Sequence, residues 1–286
     1  MPVQMHFLAQ KDRPTPRTQM MSFLIVTEHR HAIVIDGGNK QDTEYSHGYI
    51  QGLLGPRPHI DLWILTHAHE DHTDVLYEML RRFPDDFTLD TLVYHFPSCA
   101  FARQYDPDSA HTVTELEELK PVLLQKGTRL RVPEKGDVLE VDGVRLTVLR
   151  TFNPQFTGNV MNNASMVFRM DACGQSVLFT GDLGIEGGEE TLRTVPAELL
   201  RCDFVQMAHH GQQGVNRRFY EAVHPKACLW ATPLWLWENN AGKGFDTHIW
   251  KTVEVRGWIE EMGVKHHFIN KDGTQVIELP YPFEER

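Results

Sequence analysis

The 286-residue sequence predicts an α/β protein in which two β-sheets stack with helices packed outside them. Three observations predict it. Short runs rich in β-branched residues pair around polar turns in the first and middle parts of the chain. A continuous apolar run, Leu62-Trp-Ile-Leu65, reads as a strand covered on both faces, and an apolar helical stripe follows it. Strand and helix signals then alternate to the end.

The elements follow in order. Ser22–Thr27 and His31–Ile35 flank the polar Glu28-His29-Arg30 and read as a hairpin, closed by the loop signal Asp36-Gly37-Gly38. Thr43–Leu54 reads as a helix stopped by Gly55-Pro56. Val75, Leu76, Met79, Leu80 and Phe83 form one helical stripe. Thr91–Tyr94 is the next strand and Thr114–Gln125 another amphipathic stretch. Val138–Leu149 turns at Asp142-Gly143 as a hairpin. Ser165–Met170 and Ser176–Thr180 pair around Ala172-Cys173-Gly174. Strand Phe204–Met207, helix Arg217–Val223, strand Cys228–Ala231, helix Trp250–Met262 and strands His267–Ile269 and Gln275–Leu279 complete the chain. No repeat, low-complexity tract or linker interrupts it, so residues 1–286 are expected to form a single domain.

Composition narrows the function class. Hydrophobic residues make up 41% and charged residues 23%, as in soluble globular proteins. A net charge of −11 disfavours nucleic acid and anionic membranes unless bound cations reverse the field locally. The charge therefore points to a small-molecule partner and no membrane, with nucleic acid possible but not supported by it. No apolar run approaches the roughly 20 residues of a membrane span. Neither does the N-terminus join a basic region to an apolar one, so cytoplasmic residence is expected. Cys99, Cys173, Cys202 and Cys228 are scattered, as in a reducing compartment.

The strongest chemical signal is His67-Ala68-His69-Glu70-Asp71-His72, set between the buried strand and the striped helix. Imidazoles and carboxylates suit zinc and related divalent ions. Four donors in six residues can hardly all reach one ion. His67 and His69, pointing the same way from a tight loop, would share one metal. Asp71 and His72 would face a second.

Thr66-His67-Ala68-His69-Glu70-Asp71-His72 resembles the signature of the metallo-β-lactamase superfamily. Val34-Ile-Asp36-Gly-Gly38, Phe179-Thr-Gly181-Asp182 and Met207-Ala-His209-His210-Gly211 resemble its other motifs, in order. The run Asn162-Asn163-Ala-Ser165, then Gly181-Asp182, then His209-His210-Gly211 is similar to the lactamase-like domain of bacterial DNA-uptake (competence) channels and to related phosphorylcholine esterases. Asp246-Thr-His248 and Asn270-Lys-Asp-Gly273 look like the tail of that branch, and with no channel segment seen the chain would be a free-standing relative.

The resemblance implies a four-layer αββα sandwich and a metal-dependent hydrolase with one or two zinc ions, manganese or iron being the alternatives. Its metal ligands would be His67, His69, Asp71, His72, Asp182 as a bridging carboxylate, and one or both of His209 and His210, His210 being preferred. Asp71 and Asp182 are the candidate catalytic carboxylates, and His248 would donate to a substrate oxygen or leaving group. Asp36 would orient a ligand histidine. Asn162 or Asn163 stands where many relatives have a further ligand histidine. His95 is a candidate pocket residue. Trp230, Trp235 and Trp237 are read either as a substrate wall or as core and loop packing, and His29, His31, His266 and His267 are expected to be solvated. The substrate expected first is a phosphodiester or other phosphoester. Lactone, thioester or amide hydrolysis, or a metal-binding module without turnover, are the alternatives.

Overall fold

The computed structural model describes residues 2–9 and 18–283. These contain the strands β1 (Val3–Phe7), β2 (Ser22–Thr27), β3 (Ala32–Asp36), β4 (His59–Leu65), β5 (Thr88–Tyr94), β6 (Arg129–Arg131) and β7 (Val138–Val141). They continue with β8 (Val144–Arg150), β9 (Val167–Ala172), β10 (Gln175–Phe179), β11 (Phe204–Gln206), β12 (Ala227–Trp230), β13 (His266–Ile269) and β14 (Gln275–Leu279).

One sheet has the order β14-β1-β2-β3-β4-β5-β6, the other β13-β12-β11-β10-β9-β8-β7. Both follow one plan. In the first, β14, β1, β2 and β3 pair antiparallel and β3 to β6 pair parallel. In the second, β7 to β10 are antiparallel and β10 to β13 parallel. Strands β3 and β10 are where the pairing changes, and Asp36 and Asp182 stand at or just past their C-terminal ends. Ligands of open α/β sheets gather beyond the carboxyl ends of such strands.

Parallel neighbours need crossovers, and helices supply them. Thr43–Leu54 links β3 to β4, Glu70–Arg82 links β4 to β5, and Cys99–Tyr105 with Ala110–Gln125 link β5 to β6. In the second sheet, Ile185–Thr194, Arg217–Val223 and Thr252–Glu261 lie within the corresponding connections.

Strand β2 shows why four layers result. All six of its residues are buried. Phe23 and Ile25 enter the core between the sheets, whereas Leu24 and Val26 enter the core beneath the helices. Phe23 stacks on Phe7 at 4.4 Å and meets Phe179 of the opposite sheet edge-on at 5.1 Å. A third core, with Phe219, Val255 and Ile259, covers the outer face of the second sheet. The architecture is the αββα sandwich.

Several boundaries differ from expectation. Strand β4 begins at His59, and the helix before β6 begins at Ala110. Strand β1 lies outside the expected set, although Val3-Gln4-Met5-His6-Phe7 has the alternation of a strand. The helix Ile185–Thr194 was also not expected, because Gly187 and Gly188 lower its propensity. Packing requires both. A Cβ on Gly187 would stand 2.5 Å from Leu183, and one on Gly188 2.8 Å from Val215.

Candidate metal centre

The loop after β4 is held by main chain before any metal is considered. His69 is extended and caps the helix Glu70–Arg82. The Thr66 carbonyl accepts from Met166 N at 2.9 Å, and Ser165 Oγ accepts from Asp182 N at 3.0 Å. His209 N donates to Gly181 O at 3.1 Å. These bonds draw four distant segments onto one cleft. Gly181 is required there: its φ is +53°, and a Cβ would fall 2.9 Å from both Thr66 Oγ1 and Ser165 Oγ.

Asp182 lies between two groups of donors. On one side are Asp71, His72 and His210, on the other His67 and His69. Asp182 Oδ1 is 3.2 Å from His72 Nε2, and Asp182 Oδ2 is 3.4 Å from His210 Nε2 and 3.8 Å from His67 Nε2. Asp71 Oδ2 is 3.0 Å from His210 Nε2. His67 Nε2 and His69 Nδ1 face each other at 3.1 Å, a contact that only a shared proton or a shared cation makes favourable.

The other ring nitrogens are anchored, and this sets which nitrogen faces inward. His72 Nδ1 donates to Asp36 Oδ2 at 2.8 Å, and Asp36 also accepts from Thr66 N and Thr66 Oγ1, each at 2.8 Å. His210 Nδ1 donates to Ala231 O at 2.9 Å. Both rings therefore turn Nε2 toward Asp182, as a carboxylate- or carbonyl-oriented metal ligand does. Yet His72 Nε2, His210 Nε2 and Asp182 Oδ1 are buried and make no aligned hydrogen bond among the described residues. They approach one another as ligands disposed around a common point do.

Electrostatics point the same way. Burial alone would raise the carboxyls of Asp182 and Asp71, but the neighbouring His210 and His72 hold both below the usual carboxylate range. Conversely, burial would depress His210, but Asp182 and Asp71 push it up to about 10. His72 rises well above its ordinary value against the same burial, because of Asp182, Asp36 and Asp71. His67 is driven well below its ordinary value by burial and by His72, and burial lowers His209. The buried carboxylates thus demand positive charge, which protons on His72 and His210 supply and a divalent ion would supply in their place. The donor set fits two divalent ions sharing Asp182.

Other expected residues lie differently. Asn163 is used by the fold: its side chain donates to Gly158 O and Glu186 and accepts from Gly187 N at the start of the helix Ile185–Thr194. Asn162 donates to Asn159 Oδ1, and its own Oδ1 is buried without a partner among the described residues. His248 is not gathered into the donor groups: its ring packs on Trp250 at 4.4 Å and its main chain bonds Asn239. His95 donates to Pro133 O. Trp230 is wholly buried in the outer core of the second sheet, so it forms no substrate wall. Trp237 packs edge-on against Trp230, and Trp235 is partly buried, donating to Thr18 O. His29 and His31 are exposed but paired to Asp142 and Asp61. His267 accepts from Trp230 Nε1, and His266 packs on Tyr281 and Phe283.

No family model matches the chain. It is 25% identical over 171 residues to ComE operon protein 3 of Bacillus subtilis, a stretch that is 59% of this chain and 20% of that protein. The chain thus spans about a fifth of this relative's length. Among solved structures, the metallo-β-lactamase fold protein YhfI of Bacillus subtilis superposes with a TM-score of 0.60 at 14% identity, covering 97% of this chain and all of that one. CmlA, a diiron β-hydroxylase from Streptomyces venezuelae, superposes with a TM-score of 0.55 at 14% identity over 93% of this chain and 55% of CmlA. The sheet order, the four ordered motifs and these likenesses agree, and the protein is a metallo-β-lactamase-fold protein.

Proposed function

We propose that the protein is a metal-dependent hydrolase whose substrate is a phosphodiester or other phosphoester. The observation that carries this is the placement of the Asp182 carboxylate between two groups of imidazole and carboxylate donors. His67, His69 and Asp182 would hold one ion, and Asp71, His72, His210 and Asp182 the other. A bound divalent ion lowers the pKa of water from 15.7 to about 7 and neutralises charge on an oxyanion.

The chain's own residues do the rest. Asp36 and the Ala231 carbonyl fix the tautomers of His72 and His210, so that each offers Nε2 and neither must turn during reaction. Asp182, wedged between the groups, holds them at one spacing. Asp71 is the less enclosed of the two central carboxylates, 17% exposed against 2% for Asp182, so of the two it would be the one that meets substrate or solvent. A paired cationic centre suits a phosphoester, whose charge is carried by non-bridging oxygens. The overall charge of −11 favours a small ester over a long polyanion.

Purified protein loaded with zinc or manganese is expected to cleave bis(p-nitrophenyl) phosphate, and Asp182→Ala to lose that activity. Turnover confined to lactones or thioesters would replace the substrate class. No turnover on either panel with ions fully bound would replace the enzyme reading by a binding module.

A further inference from the structure

We propose that His209 and His210 serve different ions: His210 belongs with Asp71 and His72, and His209 completes the group of His67, His69 and Asp182. This rests on the two-ion reading above and assigns the position that Asn162 and Asn163 leave unfilled.

Both histidines can face one carboxylate only if the backbone between them holds both rings toward it. Here the backbone solves the problem. Both residues are left-handed, His209 at φ 51° and ψ 51°, His210 at φ 56° and ψ 22°. Their rings are 6.3 Å apart and inclined at 57°, so they present two separate nitrogens to the same carboxylate. Uncommon backbone angles at adjacent non-glycine residues persist only where the surroundings enforce them. Two bonds do so: His209 N donates to Gly181 O, next to Asp182, and Gln212 N donates to His209 O.

The ring is also prepared as a ligand. His209 Nδ1 donates to Gln213 O at 3.1 Å, which leaves the lone pair on Nε2. His210 is anchored in the same manner, by the Ala231 carbonyl. His209 Nε2 lies 3.9 Å from Asp182 Oδ2, and His67 Nε2 lies 3.8 Å from that same oxygen. Two atoms each about 2.1 Å from one ion can be no more than about 4.2 Å apart, so Asp182 can share an ion with either ring. His209 stands outside the set His67, His69 and Asp182, whose donor atoms lie within 4.8 Å of one another, so its ring must close in on them to complete the group. The asparagines are weaker candidates. Asn163 spends its amide on the neighbouring helix. Asn162 offers one buried carbonyl oxygen, a poorer ligand than imidazole for zinc.

The test compares His209→Gly, His210→Gly and Asn162→Ala with the wild type. Glycine accepts the left-handed backbone, so the turn is kept while the ring is removed. Bound metal is counted by mass spectrometry, affinities are read by chelator competition, and cobalt-loaded samples give visible spectra. The wild type is expected to hold two ions. His209→Gly is expected to hold one, or to bind the second at least tenfold more weakly. His210→Gly should lose the other ion, leaving a different cobalt spectrum, and Asn162→Ala should retain both. Two ions at wild-type affinity in His209→Gly would overturn the assignment, as would loss of an ion in Asn162→Ala. If the wild type itself held fewer than two ions, the two-ion reading would fall and this assignment with it, an outcome distinct from the other two.

Discussion

The protein gathers histidine and aspartate at both ends of its parallel strands, and the two gatherings differ in kind. At the C-terminal ends, His67, His69, Asp71, His72, Asp182 and His210 converge, with His67, His72 and His210 fully enclosed. At the N-terminal ends, roughly 20 Å away along a seven-residue strand, His59, Asp61 and Asp90 lie close together beside His31. There His59 is half exposed, its Nδ1 is bonded to Thr88, and the Nδ1 of His31 pairs with Asp61. His29 likewise pairs with Asp142. Residue types alone do not separate the two sets. What separates them is burial together with ring nitrogens turned inward and, among the described residues, left without aligned partners. Solvated pairs settle their own charge, whereas a buried group with spare lone pairs and spare carboxylates calls for a cation.

The largest effect expected of this difference is at Asp182. Replacing it with alanine should remove the shared carboxylate from both donor groups, lowering kcat/KM by at least a thousandfold, about 4 kcal/mol, and emptying both sites on metal analysis. Gly181→Ala comes next. Its new methyl meets Thr66 and Ser165 in a left-handed backbone, so thermal melting should show a loss of about 1–3 kcal/mol. Asp36→Asn leaves the donors in place but loosens His72. Chelator competition should then report a 10- to 100-fold loss of metal affinity.

A smaller effect concerns pH. His6 is buried against Tyr49, and burial lowers its pKa below 6.5. A depressed histidine favours the neutral form when folded, so its contribution is present above about pH 6.5 and fades as pH falls toward the folded-state value. Metal-free protein should melt progressively lower across that window, and His6→Gln should flatten the slope. At the far end of the scale is His59→Ala in the exposed set: a stability change within about 0.5 kcal/mol and no change in bound metal.

How much of this was legible beforehand follows from where the information sits. The 67–72 loop is contiguous, so its donors could be read as a set. Asp36 and Asp182 were legible because each follows an apolar strand at a glycine turn. The division of labour proposed for His209 and His210 was not, because it rests on backbone angles that adjacent letters do not encode. The choice between Asn162 and Asn163 was open in the sequence for a similar reason: the partners of Asn163, Gly187 and Glu186, belong to a helix whose own glycines hid it. Trp230 was readable either as a pocket wall or as core packing, and it stands on β12, which is buried along its whole length. The αββα layering was readable from alternating strands and helices. The repeated plan of the two sheets, with β3 and β10 in equivalent places, has no counterpart in repeated sequence.

Crystals soaked in zinc and measured for anomalous scattering at its absorption edge would test the centre most directly. Two peaks about 3.5–4 Å apart on either side of the Asp182 carboxylate are predicted, with none of comparable height beside His59. A zinc peak at the His59 cluster with none at Asp182 would contradict the account.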